Sequence, residues 1–204
     1  MRPRRVSAIA KRALDVALCI CSLPIAMPLA AVVAAIVKAT SPGPVLYRAD
    51  RIGLHGQPIV VLKFRTMRTD CEGPRVTRSG DDRVTSVGRV LRASKLDELP
   101  QIVNVLRGDM SIVGPRPEDP KYVAGYSEEQ RQVLSVRPGM TSLSFLRFGH
   151  EQEFIERAAP ADAETFYLTQ VLPEKLDIEL TYVRSWSVRG DMRIIARTFA
   201  GLFG

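Results

Sequence analysis

The sequence predicts an α+β, predominantly helical fold: an N-terminal re-entrant membrane helix hairpin, a short β-hairpin, and amphipathic interfacial helices around a candidate catalytic site. Three observations carry this. Val16 to Val37 holds no charged residue but is interrupted by Pro24 and Pro28. Two short β-branched runs flank a glycine-containing turn before Arg65. Helix start and stop signals then gather around the adjacent carboxylates Asp97 and Glu98. Residues 1–40 are expected to form a basic flank and the membrane helix, and residues 41–204 a cytoplasmic unit at the membrane interface.

The apolar run passes the length test for a membrane helix, roughly 20 residues. Basic residues lie on both sides, Lys11 and Arg12 before it and Lys38, Arg48 and Arg51 after it. The positive-inside rule then puts both ends on the cytoplasmic face. Each proline removes a backbone donor and crowds the preceding turn, at about 3 kcal/mol in a helix interior. Two arms of roughly ten residues, each rising about 15 Å or one leaflet, reconcile these facts. A kinked single-pass helix and a soluble core helix are the alternatives. A cleaved signal peptide fits less well, since the run is long and has no clear cleavage motif. Asp15 is expected at headgroup depth beside Lys11 and Arg12, with the Ser22 hydroxyl helping to satisfy freed carbonyls.

Pro44–Arg48 and Ile59–Phe64 read as strands joined by the turn residues Gly53-Leu54-His55-Gly56. A polar loop from about Thr69 to Asp82 follows, then a short basic helix over Val84–Arg92. A helix over Asp97–Leu106 places Pro100 in its first turn, where proline is tolerated, and ends at Gly108, suited to a left-handed cap. Ser127-Glu128-Glu129-Gln130 is a capping box opening another helix. Met192–Phe199, with Leu202 and Phe203, mixes apolar and basic residues. Such a segment suits a membrane surface, with its arginines at the headgroups, or packing on the protein's own core.

A formal charge of +7 calls for an anionic partner: nucleic acid, anionic membrane lipids or a phosphorylated substrate. Aromatic residues are only 6% of the chain and no basic tract is interleaved with them, so nucleic acid is not expected. Cys19, Cys21 and Cys71 do not make a disulfide framework. His55 and His150 have no ligand partner at metal spacing, which argues against zinc.

Two adjacent carboxylates at a helix start have a structural explanation, since Ser94-Lys95-Leu96-Asp97 reads as a capping box complementing the helix dipole. The surroundings point to chemistry instead. Arg83, Arg89, Arg92 and Lys95 precede the pair and Arg107 and Arg116 follow it. A carboxylate at a helix start among cations should have a depressed pKa and remain ionised, as a nucleophile or a Mg²⁺ ligand. Pro115 and Pro117 fix the backbone around Arg116, which is either a rigid turn or a guanidinium pre-organised for phosphate. Lys63 and Arg65, in Lys63-Phe64-Arg65-Thr66-Met67, form a second cationic cluster.

Together these segments resemble the bacterial sugar transferases known as monotopic phosphoglycosyl transferases. The likeness runs through Lys11–Asp15, the proline-broken stretch, Ser41-Pro42-Gly43-Pro44, Lys63–Met67, Leu96-Asp97-Glu98-Leu99-Pro100-Gln101 and Asn104-Val105-Leu106. It continues through Gly108–Ser111, Val113-Gly114-Pro115-Arg116-Pro117, Arg137-Pro138-Gly139-Met140-Thr141, and Tyr182 with Asp191. The resemblance implies transfer of a phosphosugar from a UDP-sugar to a polyprenol phosphate, with release of UMP. It makes Asp97 the nucleophile and Glu98 its helper in Mg²⁺ and proton handling, with Lys63, Arg65, Arg92, Arg116 and Arg137 as phosphate-binding candidates. It also implies a bacterial inner membrane location, with one-sided insertion that brings Asp97 to the depth of a lipid phosphate. Two departures stand out: Met27 precedes Pro28 where relatives often have serine, and Ser142-Leu143-Ser144 follows Thr141 where many have glycine and an Ala-Gln segment. The competing expectation is a non-enzymatic, membrane-anchored basic protein that binds nucleic acid or anionic lipid, for which the carboxylate pair has no use.

Overall fold

The computed structural model describes residues 5–69, 81–148 and 162–203. The expected polar loop therefore lies largely outside the described residues, as do Cys71 and His150.

Helix α1, Arg5–Thr40, contains both Pro24 and Pro28. The prolines lie inside one helix rather than between two. The prolines free the carbonyls of Ile20 and Pro24, whereas Ser22 donates to the Cys19 carbonyl at 2.7 Å, so the role expected for its hydroxyl is not the one seen. By length and composition, Ala8–Thr40 is able to cross a membrane. Its packing gathers in two clusters, although Ala26 between the prolines is also buried. Near the start, Cys19 joins Ala49, Val61, Val105 and Met110 in one apolar cluster. Near the end, Val33 and Val37 join Phe64 and Leu91 in another. Between them, Ile25 is 77% and Met27 63% exposed.

Asp15 is not at the surface. It is buried, accepting from Ser111 Oγ at 2.7 Å and from the Ile112 amide at 3.2 Å. A carboxylate this deep must be bonded, and these bonds fasten α1 to the body of the protein. Arg12 donates to the carbonyls of Val105 at 2.5 Å and Leu106 at 3.0 Å, and Lys11 bonds Asp191 at 2.6 Å.

The β-hairpin forms as expected, with antiparallel β1 (Leu46–Ile52) and β2 (Pro58–Phe64) pairing Ala49 with Val61. Helix α2 (Ser86–Ala93) is capped by the Thr85 side chain. A 3₁₀ turn over Leu96–Glu98 leads into α3 (Gln101–Arg107), which stops at Gly108 with φ +93°, the left-handed cap expected there. The proposed Ser94–Asp97 capping box does not form, because Ser94 instead closes α2, donating to Val90 and Leu91.

Strands β3 (Ser111–Val113) and β4 (Gly139–Thr141) form a parallel pair, with α4 (Pro120–Val123) between them in the chain. The Ser127–Gln130 capping box forms both its reciprocal bonds, but the helix it opens, Gln130–Ser135, is 3₁₀ rather than α. After α5 (Phe145–Phe148), α6 (Ala163–Phe166) runs through a π-turn into α7 (Leu172–Ser185), followed by α8 (Val188–Phe203). Of the two expectations for the terminal helix, packing on the protein's own core is the one seen. Its Ile194 packs with Val113 and Tyr182, while Met192 and Phe199 remain exposed beside Arg193 and Arg197.

Candidate active site

The site is assembled by docking α3 on β2. Asn104, fully buried, accepts from the Leu62 amide at 3.0 Å and donates to the Val60 carbonyl at 2.7 Å. One side chain thus satisfies the free edge of β2, where unpaired groups would be costly. It also brings the turn bearing Asp97 and Glu98 against Lys63 of β2. Lys63 Nζ reaches Glu98 Oε1 at 2.9 Å.

The opposite wall comes from the β3–β4 ladder. Gly114 donates to the Thr141 carbonyl at 3.1 Å, and Gly139 to that of Pro115 at 2.9 Å. The backbones approach so closely that a Cβ on Gly139 would lie 2.2 Å from the Gly114 nitrogen, so only glycine fits. This zipper joins the Val113–Pro117 and Arg137–Thr141 motifs and aims Arg116 at Glu98. Arg116 Nη1 donates to Glu98 Oε2 at 2.9 Å and to the Met140 carbonyl at 2.8 Å, and its Nη2 bonds Glu98 Oε1. The fork is the bidentate geometry that favours guanidinium over ammonium.

The two carboxylates behave oppositely. Burial pushes Glu98 up, but Arg116 and Lys63 outweigh it and hold the carboxyl far below its ordinary range. Asp97 is pushed up, by burial first and then by Glu98, with Lys63, Lys95 and Arg116 only partly offsetting. The expectation that cations and a helix start would depress both therefore fails for Asp97. The cations bond its neighbour, and Asp97 is buried with Oδ1 lacking any hydrogen-bond partner. An anionic oxygen stripped of donors is a strong nucleophile when ionised.

Among the described residues, no three His, Cys, Asp or Glu side chains converge as a metal cage. The pair still suits Mg²⁺, which takes one or two carboxylates and completes its shell with phosphate oxygens and water. Asp97 Oδ1 is an oxygen without a donor, whereas Glu98 would have to exchange contacts with Lys63 and Arg116.

The remaining candidates are placed differently. Arg92 stands at the rim, donating to Thr66 Oγ1 at 2.8 Å, with Asp97 among its electrostatic neighbours. Arg137 bonds the Gly108 carbonyl at 2.9 Å and so holds the C-terminus of α3. Arg65 is buried and faces α1, donating to the carbonyls of Ser41 at 2.8 Å and Pro42 at 2.6 Å. Its guanidinium closes the end of α1 rather than facing the carboxylates. Gly43, at φ +112°, leaves the room it needs.

Three residues stand outside the site candidates read from sequence, although Lys95 was counted among the surrounding cations and Gln101 lay in the resemblance motif. Gln101, one turn beyond Asp97, is fully buried with Oε1 unpartnered. Glu179 is buried beneath the segment after β4 and accepts from Ser144 Oγ at 2.5 Å, and burial pushes its carboxyl up. Lys95 adopts a left-handed backbone, φ +57° and ψ +13°, immediately before the 3₁₀ turn. That conformation costs a non-glycine residue about 1–3 kcal/mol. A positive φ in a lysine leaves no local signature in the sequence.

A buried carboxylate with an unpartnered oxygen beside an ion-paired one, in a body that also carries a long apolar helix, suits phosphate chemistry. The chain belongs to the bacterial sugar transferase family, matching it over residues 6–204. It is 38% identical over 98% of its length to a UDP-glucose:undecaprenyl-phosphate glucose-1-phosphate transferase of Caulobacter vibrioides, of which it spans 72%. It is 34% identical over 96% of its length to a UDP-N-acetylgalactosamine-undecaprenyl-phosphate N-acetylgalactosaminephosphotransferase of Aeromonas hydrophila, spanning 44% of it. It is 39% identical to the exopolysaccharide production protein PSS of Rhizobium leguminosarum bv. phaseoli, with 92% of each chain covered.

Proposed function

We propose that this protein transfers a sugar 1-phosphate from a UDP-sugar to a polyprenol phosphate such as undecaprenyl phosphate, releasing UMP, through a covalent phosphosugar intermediate on Asp97. The observation that carries the reading is the buried Asp97 carboxylate, with Oδ1 unpartnered, beside Glu98 clamped by Lys63 and Arg116. Relatives named for this reaction support it.

In the first step an Asp97 oxygen forms a bond to the β-phosphorus. The bond from that phosphorus to the bridging oxygen breaks, and its electron pair leaves on UMP. In the second, an oxygen of polyprenol phosphate attacks the same phosphorus and returns the electron pair to Asp97. Both steps bring anions together, so positive charge must be in place beforehand. Mg²⁺, held by Asp97 or Glu98 with substrate phosphates, would supply part of that charge. Arg116 and Lys63 supply the fixed part and keep Glu98 ionised.

Helix α1 supports a location at the membrane. Both arms of the helix pack against the body that carries Asp97, and Ile25 and Met27 between them present an apolar surface suited to lipid. This supports one-sided insertion from the cytoplasmic face of a bacterial inner membrane, with anionic lipids at the basic flanks, and a role in starting a surface glycan. Purified protein with polyprenol phosphate and a panel of UDP-sugars should release UMP and identify the sugar, and Asp97→Asn should abolish release. Full turnover by Asp97→Asn would rule out the covalent route. Labelling of introduced cysteines on opposite membrane faces at the two ends of α1 would rule out one-sided insertion.

A further inference from the structure

We propose that Glu179 of α7 is a positioning residue: through Ser144 and Ser142 it fixes the end of β4, and with it the grip that keeps the Arg116 guanidinium on Glu98. The inference takes its catalytic meaning from the function proposed above. It adds to that reading a residue that acts through Arg116 rather than on substrate.

The Arg116 guanidinium is aimed partly by backbone, since its Nη1 donates to the Met140 carbonyl as well as to Glu98. Met140 is the middle residue of β4, and the chain leaves that strand through Ser142 and Ser144, both buried. Ser144 Oγ donates to Glu179 Oε1 at 2.5 Å and lies 3.0 Å from Ser142 Oγ, which accepts from the Phe145 amide at 3.0 Å. The turn after β4 is thus tied to a carboxylate on α7. The same helix grips the other flank of Arg116. One turn before Glu179, buried Lys175 bonds Glu118 Oε2 at 3.4 Å and Tyr167 Oη at 2.8 Å, and Tyr167 also bonds Glu118. Glu118 follows Pro115-Arg116-Pro117 directly. Lys175 and Glu179, neighbours on one helix face, therefore hold the segments after β3 and after β4.

Energetics separate this role from plain support of the fold. Glu179 is only 3% exposed, and its Oε2 has no hydrogen-bond partner among the described residues. A buried carboxylate with one oxygen unpaired costs stability rather than adding to it. Burial raises its pKa, and the Ser144 and Ser142 hydroxyls, the Lys175 charge and the Arg116 amide oppose that rise. A polar group kept at such a cost, against the segment that carries Arg116, has a use beyond holding the fold together.

The test reads Arg116 itself as well as turnover, by NMR of the whole chain carrying isotope-labelled arginine. The Arg116 guanidinium signal, identified by its loss in Arg116→Lys, should exchange its protons at least about tenfold faster in Glu179→Leu than in the wild type. In the same variant kcat for UMP release should fall at least about tenfold, while KM for the UDP-sugar stays within about threefold. Glu179→Gln, which keeps an acceptor for Ser144, should lie between Glu179→Leu and the wild type in both measurements. Both variants should melt within about 4 °C of the wild type. Wild-type exchange at Arg116 in Glu179→Leu would overturn the assignment, and so would UMP release at the wild-type rate. A loss of rate that tracks a lower melting temperature in both variants would overturn it too, showing a role in the fold alone. If the wild-type protein releases no UMP from any UDP-sugar, the transferase function falls, and proton exchange still decides whether Glu179 positions Arg116.

Discussion

Asp97 and Glu98 share a turn and differ in everything that matters for reactivity. Glu98 is bonded from two sides, and its lowered pKa means its contribution to stability is complete above the ordinary value of 4.5 and is lost as pH falls toward the lowered one. Asp97 has the opposite sign. Its carboxyl holds a proton to higher pH in the folded chain than in the unfolded one, so its contribution falls as pH rises above 3.8 through the raised value. In the proposed covalent route only the ionised form attacks, so the acid limb of kcat should lie above 3.8. Glu98→Gln removes the like charge, so that limb should move to lower pH while the maximal rate drops by about 10²–10³. Rate profiles of the two proteins across pH check both statements. Sequence made the pair conspicuous, but it could not say which carboxylate the cations would bond. Burial decides that, and burial depends on Asn104 docking α3 on β2.

At the scale of elements, the most legible features were those set by local geometry. The β-hairpin, the Gly108 cap and the reciprocal Ser127–Gln130 bonds all appear where residue type places them. Whether Gln130 opens an α- or a 3₁₀-helix was not legible, nor was the turn at Lys95, since both depend on distant packing. The β3–β4 zipper was visible only as two motifs without a stated relation. It makes a firm demand: Gly139→Ala sets a Cβ against the Gly114 amide, opens the ladder and withdraws Arg116 from Glu98. Turnover should collapse, with a stability loss of roughly 1–3 kcal/mol seen in denaturant melts. Gly43→Ala should cost about as much by strain at φ +112° and by displacing Arg65, but with a smaller effect on turnover because Arg65 faces α1.

For the whole molecule, the boundary expected near residue 40 falls at the end of α1, yet the two parts share their core. Cys19 and Val33 pack on residues from β1, β2, α2 and α3 or its cap. Removing residues 1–40 should therefore leave an aggregating, poorly folded remainder rather than a soluble enzyme, as circular dichroism and gel filtration would show. The fastening reaches the far end of the chain as well. Asp191 accepts from Tyr182 at 2.9 Å and Trp186 at 3.0 Å, alongside its bond from Lys11. Tyr182→Phe should lower stability by about 1–2 kcal/mol, since buried Asp191 and the Val113 carbonyl both lose a donor. Sequence reading assigned Asp15 and Lys11 to the membrane surface because an apolar run looks the same whether lipid or protein receives its charged end.

The bond between Lys11 and Asp191 spans 180 positions of the chain. During synthesis at about 5–20 residues per second, α1 would wait roughly 10–35 s for the carboxylate that secures it. With the membrane insertion proposed above, the first helix would meet lipid before its protein contacts exist. On that proposal, assembly would proceed from the membrane outward and close when α8 returns to α1 through this bond.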